Sequence, residues 1–155
     1  MFYKSLKKVA GALAVAAGVL AGGQSLAQDL KVGFVYVGPI GDHGWSYQHE
    51  QGRLAVEEAF GEKVATTYVE NVAEGPDAER VITKLAADGH GLIFTTSFGF
   101  MNPTLKAAKR NKNVLFEHAT GYKSAKNLST YSSRFYEGRY VLGHIAGKMT
   151  KTNTI

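Results

Sequence analysis

Short apolar runs bounded by turn residues alternate with segments whose apolar positions recur at helical spacing, and this alternation organises the chain. Val32 to Val37 is continuously apolar, as a strand buried on both faces is. After a turn with three glycines, Gly52, Ala55 or Val56, and Ala59 with Phe60 fall on one helical face from about Ser46, and Gly61 supplies the stop. Val64 to Val69, β-branched and aromatic, is a second strand. Pro76 suits a first helical turn, and Ala78, Val81, Ile82, Leu85 and Ala86 form the inward stripe of a helix that stops at Asp88-Gly89. Leu92 to Thr96 is a third buried strand. Asn102-Pro103 reads as an N-cap and first-turn proline, opening a short helix with Leu105 and Ala108 inward and Lys106, Lys109 and Arg110 in water. Val114 to Phe116 is a fourth strand, Leu128 to Ser132 a shorter fifth, and Val141, Leu142, Ile145 and Met149 mark the face of a last helix over 135–149.

Strands alternating with helices demand a parallel, doubly wound α/β sheet, because parallel neighbours need helical crossovers and those are right-handed. Ligands bind such sheets beyond the carboxyl ends of the strands. That rule nominates three loops: Gly38 to Tyr47, Ser97 to Phe100, and Glu117 to Gly121. The first is the richest. Gly38, Gly41 and Gly44 permit a sharp turn with uncovered amides, the following helix offers its N-terminal dipole, Asp42 adds a fixed acceptor and Trp45 a flat amphipathic face. The plainer alternative is a tight strand-to-helix turn in which Trp45 caps a core.

Composition changes this picture mainly at the N-terminus. Lys4, Lys7 and Lys8 precede an apolar run from Val9 to Gly23, and Ser25-Leu26-Ala27 presents small residues for cleavage, so residues 1–27 read as a secretory signal peptide rather than a membrane anchor. Without those three lysines the basic residues fall from 18 to 15 against 13 acidic ones, about +2 instead of +5. No basic stripe interleaved with aromatics remains, so nucleic acid is not an expected partner. There is no cysteine, which removes disulfides, thiolate metal sites, cysteine nucleophiles and a lipidated N-terminal cysteine. The expected product is a free periplasmic monomer that meets a membrane only through a partner.

Other chemistries fit less well. Gly38-x-x-Gly41-x-x-Gly44 has the wrong first spacing for a dinucleotide site, although Glu70 follows the second strand where such a site places its acid. His49-Glu50 begins like a zinc motif, but position 53 is Arg53, and no histidine spacing suits a metal. Ser97, Asp42 and His118 stand at loop ends where a hydrolase would want them, without a G-x-S-x-G elbow. No catalytic residue, metal or cofactor is therefore expected.

Three separated segments, Lys31 to Gln48, Thr96 to Phe100 and Phe135 to Gly143, together resemble the basic membrane protein family, ABC-transporter substrate-binding proteins that include purine nucleoside receptors. The resemblance covers Leu30 to Ile155. It implies a periplasmic-binding-protein fold of two α/β lobes that closes on a ligand and delivers it to a membrane permease. Residues 28–150 would be the first lobe, and 151–155 the start of a hinge into a second lobe lying outside this sequence. It further implies a purine nucleobase or nucleoside as ligand, with Asp42 at the family's aspartate position and Trp45 at an aromatic, base-stacking position. Gly44, Ser97, Phe98 and Glu117 would complete the near wall. Two departures stand out: the lipidated cysteine of many relatives is absent, and Asp42-His43-Gly44-Trp45 replaces the frequent Asp-Lys-Ser-Phe. The tryptophan places the chain nearer to adenine receptors. The alternatives are a receptor for a sugar or other small polar solute, a sensor's ligand-binding lobe and, more distantly, a secreted hydrolase.

Overall fold

A computed structural model describes residues 30–155; the expected signal peptide lies outside the described residues. Five strands, β1 (Leu30–Val35), β2 (Val64–Val69), β3 (Leu92–Thr95), β4 (Leu115–Ala119) and β5 (Leu128–Tyr131), form one sheet in the order β2-β1-β3-β4-β5. Every pairing is parallel, with Phe34 beside Tyr68 on one side and Phe94 on the other, and Thr95 beside His118. Helices α1 (Trp45–Phe60), α2 (Pro76–Ala87), α3 (Met101–Arg110) and α4 (Phe135–Met149) follow β1, β2, β3 and β5. This is the expected doubly wound arrangement. Among the described residues no helix is long and apolar enough to cross a membrane.

The strand period of two splits the sheet's side chains between two unlike faces. On one face Val35, Ile93, Phe116 and Leu128 pack against Ala78, Ile82 and Leu85 of α2 and Ala107 and Ala108 of α3, all buried. Here α2 keeps its expected bounds. The helix α3 begins two residues early, running directly out of a 3-10 turn over Phe98–Phe100, so Asn102 lies inside it instead of capping it. The Asn102 side-chain oxygen instead accepts from the Lys123 ammonium at 2.8 Å.

The other face overturns the expected packing of α1. Its buried residues are Ser46, Glu50 and Arg53, while Gly52, Ala55, Ala59 and Phe60 are exposed. The reason is a charge network that satisfies itself under the helix. Arg53 donates to both Glu50 carboxylate oxygens, at 2.8 and 2.6 Å, to Glu57 at 2.7 Å and to the Thr66 hydroxyl at 2.5 Å. The Tyr36 hydroxyl donates to Glu50 at 3.1 Å, and the guanidinium lies 5.2 Å from the centre of the Tyr68 ring. Hydrogen bonding from Arg53 holds the Glu50 carboxyl below its usual range despite burial, and burial together with Glu50 pushes the Tyr36 phenol up. A buried charge is tolerable only when paired and hydrogen-bonded, a condition this cluster meets.

Two further expectations change. β4 runs on to Ala119, which puts Glu117 inside a strand and not in the loop beyond it. α4 forms where expected, but none of its residues is buried, and Val141, Leu142, Ile145 and Met149 face outward.

Candidate functional site

The three nominated loops do meet at the carboxyl edge of the sheet, and side chains pin the first of them. Ile40 N–H donates to the Glu70 carboxylate at 2.8 Å, Gly38 N–H to the Ser46 hydroxyl at 3.2 Å, and Gly44 N–H to Asp42 at 2.8 Å. The amides of Gly38 and Gly44 are thus covered by side chains of the loop itself, contrary to the expectation of uncovered donors there. Its left-handed residue is His43, with φ 54°, and not one of the three glycines. Asp42 stays exposed at the mouth of α1, spending one oxygen on Gly44 and keeping the other available. Glu70, the acid that could pose as a ribose ligand, is instead a structural clamp.

Trp45 opens α1 with its indole N–H donated to the Thr96 carbonyl at 2.5 Å, while 39% of the residue remains exposed. The tether fixes the ring plane and leaves ring surface free. A cleft of about 280 Å³ lies against it, lined by Trp45, Gln48, His49, Thr120, Tyr131 and Phe135 among others. His49, one helical turn after Trp45, meets the indole edge to face at 4.7 Å, and Phe135 at the start of α4 tilts over it at 5.8 Å. Tyr131 stands 6.4 Å from His49. Burial lowers the His49 pKa, so the imidazole is neutral near pH 7 and able both to donate and to accept. Such a cleft suits a flat, partly polar ligand: aromatic walls, a few convergent polar groups, and no charge in the middle.

The other expected contacts divide. Ser97 is buried and its hydroxyl is donated to Glu74, which also accepts the Gly99 N–H at 3.1 Å. A Cβ on Gly99 would stand 2.1 Å from the Glu74 carboxyl carbon, so a side chain there would displace the Glu74 carboxylate from Ser97. Ser97 therefore holds the second loop in shape. Phe98 beside it is more than half exposed, 6.3 Å from Tyr122, and forms an aromatic rim. Glu117 lies lower, within β4 on the α1 side of the sheet, among Phe94, Leu115 and Tyr131. Asp42, Ser97 and His118 form no hydrogen-bonded triad: Ser97 binds Glu74, and the His118 ring, wholly buried, lies against the Thr95 hydroxyl at 3.0 Å. Among the described residues no His, Cys, Asp or Glu group could hold a metal ion.

Sequence reasoning missed His49, Tyr131, Phe135, Glu70 and Glu74. His49 was legible as the i+4 neighbour of Trp45. The others come from elements far away in the chain, and no local signal marks them.

Comparisons with known proteins place this geometry. The family model for PnrA-like ABC transporter substrate-binding proteins, Bmp, matches residues 29–155. A purine-binding protein of Brucella abortus is 60% identical over 140 residues, covering 90% of this chain and 40% of its own length. A provisionally named ABC transporter glucose-binding protein of Haloferax volcanii is 40% identical over 134 residues, 86% of this chain and 34% of its own. The present chain thus spans well under half of the relatives it matches. The fold recurs in a solute-binding protein of an ABC transporter system from Conexibacter woesei, with TM-score 0.64 and 19% identity over 76% of this chain and 40% of that one.

Proposed function

The chain belongs to the Bmp family of ABC transporter substrate-binding proteins, and on that premise we propose that it forms the first lobe of a periplasmic receptor for a purine nucleobase or nucleoside, adenine-like by preference. The receptor serves an ABC importer's permease and carries out no chemistry of its own. Residues 28–150 hold the ligand-facing loops, and residues 151–155 lead into a second lobe. The observation that carries this reading is Trp45: its N–H is tied to the Thr96 carbonyl, and its exposed ring lines an aromatic cleft at the carboxyl edge of the sheet. A purine stacks on that ring. Asp42, whose second oxygen is available, accepts from an exocyclic amine or a ribose hydroxyl, with Gly44 and Phe98 on the rim. Ser97 acts through Glu74 in shaping the loop. Support for the purine comes from the 60% identical relative of that name. A sugar receptor is the second reading, supported by the glucose-binding relative and by the ability of a tryptophan face to cover a pyranose.

Trp45 is the chain's only tryptophan, so its fluorescence reports on the cleft alone. Titration with adenine, adenosine, guanosine and glucose is expected to give saturable quenching with the purines and none with glucose. Trp45→Phe keeps an aromatic face, whereas Trp45→Ala weakens calorimetrically measured purine binding by roughly one to two decades, since stacking contributes about 1–3 kcal/mol. Saturation by glucose alone would select the sugar reading. Unchanged purine affinity in Trp45→Ala would end the stacking role.

A further inference from the structure

Along β4 the side chains alternate. Leu115, 58% exposed, Glu117 and Ala119 turn toward the open, α1 side of the sheet, and Phe116 and His118 turn toward α2 and α3. His118 is the misfit in this series. It is fully buried, yet its Nε2 has no hydrogen-bond partner among the described residues. Its Nδ1 stands 3.0 Å from the Thr95 hydroxyl and 3.2 Å from the Thr95 carbonyl; a carbonyl only accepts, so Nδ1 carries the proton and Nε2 presents a bare lone pair. Burial lowers the pKa and keeps the ring neutral near pH 7. An unpaired buried nitrogen destabilises a fold, and an apolar side chain in the same space carries no such penalty. The histidine therefore has a use other than stability.

What the ring supports lies directly against it. A Cβ on Gly121 would stand 2.1 Å from Cδ2 and 2.8 Å from Nε2 of His118, so the Gly121 backbone rests on an imidazole that is buried and bonded to Thr95. Between the two, Thr120 is β-branched and left-handed, with φ 67°, a conformation that a threonine keeps only where its surroundings impose it. Ala119 and Thr120 line the Trp45 cleft, and the Thr120 N–H donates to the Tyr131 carbonyl at 2.7 Å. Behind His118 the polar chain continues: the Thr104 hydroxyl lies 2.9 Å from the Thr95 hydroxyl and 2.7 Å from the Phe100 carbonyl. Thr96, next to Thr95 and as fully buried, is the residue whose carbonyl holds the Trp45 indole. One buried strand end, Thr95-Thr96, thus fixes two walls of the cleft, Trp45 directly and the Ala119-Thr120-Gly121 turn through His118.

We propose that His118 is a positioning residue for ligand binding: its ring seats the Ala119-Thr120-Gly121 turn in the left-handed conformation that walls the cleft beside Trp45. The ring itself touches no ligand. Without it the turn relaxes, and binding has to impose the strain again. This role rests on the reading that the Trp45 cleft takes the ligand.

The test pairs His118→Leu with Gly121→Ala. His118→Leu keeps a buried side chain and removes the unpaired nitrogen, so urea melts should show it at least as stable as the parent. Its adenine affinity, measured by calorimetry, should nevertheless fall about tenfold, the strain of one left-handed residue restored on binding. Gly121→Ala lifts the turn off the ring and should weaken adenine by a similar factor. In a His118→Ala background, where the added methyl has room, it should weaken adenine no further. Acrylamide quenching of Trp45 without ligand should rise in His118→Leu, because the displaced turn no longer shields the indole. Unchanged adenine affinity in His118→Leu would overturn the proposal, as would additive losses in the double variant. A loss of stability matching the loss of affinity would also overturn it, for His118 would then be an ordinary core residue. If the parent binds neither adenine nor glucose, the receptor reading fails by itself and quenching decides on the seat: a rise in His118→Leu upholds it, and no change removes it.

Discussion

The two faces of the sheet are built from the same five strands and do different work. Toward α2 and α3, apolar side chains interdigitate around a small buried polar chain in which the Thr104 hydroxyl donates to Thr95 and Thr95 bonds to His118. Toward α1, the contact is a network of Glu50, Arg53, Tyr36, Thr66 and Glu57. An apolar face gains stability from every methylene it buries but tolerates small slips. A bidentate arginine fork accepts one arrangement only. The difference matters for function, because Trp45 and Asp42 stand at the end of the helix that the network orients. The apolar face supplies stability, and the polar face fixes the orientation of the helix that carries Trp45, the proposed ligand contact.

The largest expected effect separates the two faces at adjacent residues. Phe116→Ala, on the packed face at 1% exposure, should cost about 3–5 kcal/mol in a urea melt, while Leu115→Ala, its neighbour on the open face, should cost less than about 0.5 kcal/mol. Equal costs would mean that the open face is covered in solution. Next in size, Arg53→Met leaves the Glu50 carboxylate buried without its partner and should destabilise by about 3 kcal/mol or more. The double change Glu50→Leu with Arg53→Met should recover much of that loss in stability. Even so, the double variant should lose purine-dependent quenching of Trp45, because α1 is no longer held in one orientation. Recovery of both would show that the network serves stability alone.

A smaller effect comes from the polar pair inside the packed face. Burial lowers the His118 pKa below its ordinary 6.5, so between those values the unfolded chain binds a proton that the native one does not. Stability is therefore complete above about pH 6.5 and falls as the pH drops below it, by at most about 1.4 kcal/mol per pH unit for this one group. His49, on the open face, titrates with the same sign. Melting curves at pH 7 and 5 should lose less stability in His118→Gln than in the parent, and identical losses would remove His118 from the account.

Much of this was legible in the residues themselves. The bounds of α2 follow from Pro76 and Asp88-Gly89, and the bounds of β2 from its β-branched run, because those signals are local and every nearby preference agrees with them. The reading of α1 failed for the opposite reason. Its apolar positions define a face, but nothing in the sequence said that the trio Glu50, Arg53 and Glu57, spaced i, i+3 and i+7, would be the side turned inward. Only the strand opposite, with Tyr36 and Thr66 as partners, makes burying those charges acceptable. Asp42 and Trp45 could be nominated from the sequence because a loop after the first strand of a doubly wound sheet is where ligands go. Glu117 was placed wrongly because β4 runs three residues longer than its apolar run.

What the sequence determined by itself was the order of strands and helices, hence a parallel doubly wound sheet, and the loop carrying Asp42 and Trp45. Those depend on periodicity and turn chemistry, which act over a few residues. Tertiary structure alone decided which side of α1 is buried, that Ser97 spends its hydroxyl on Glu74, and that Tyr131 and Phe135 come to stand beside Trp45. Each of these depends on a partner distant in the chain, and burial of a polar group is settled by the partner it finds and not by its own hydropathy.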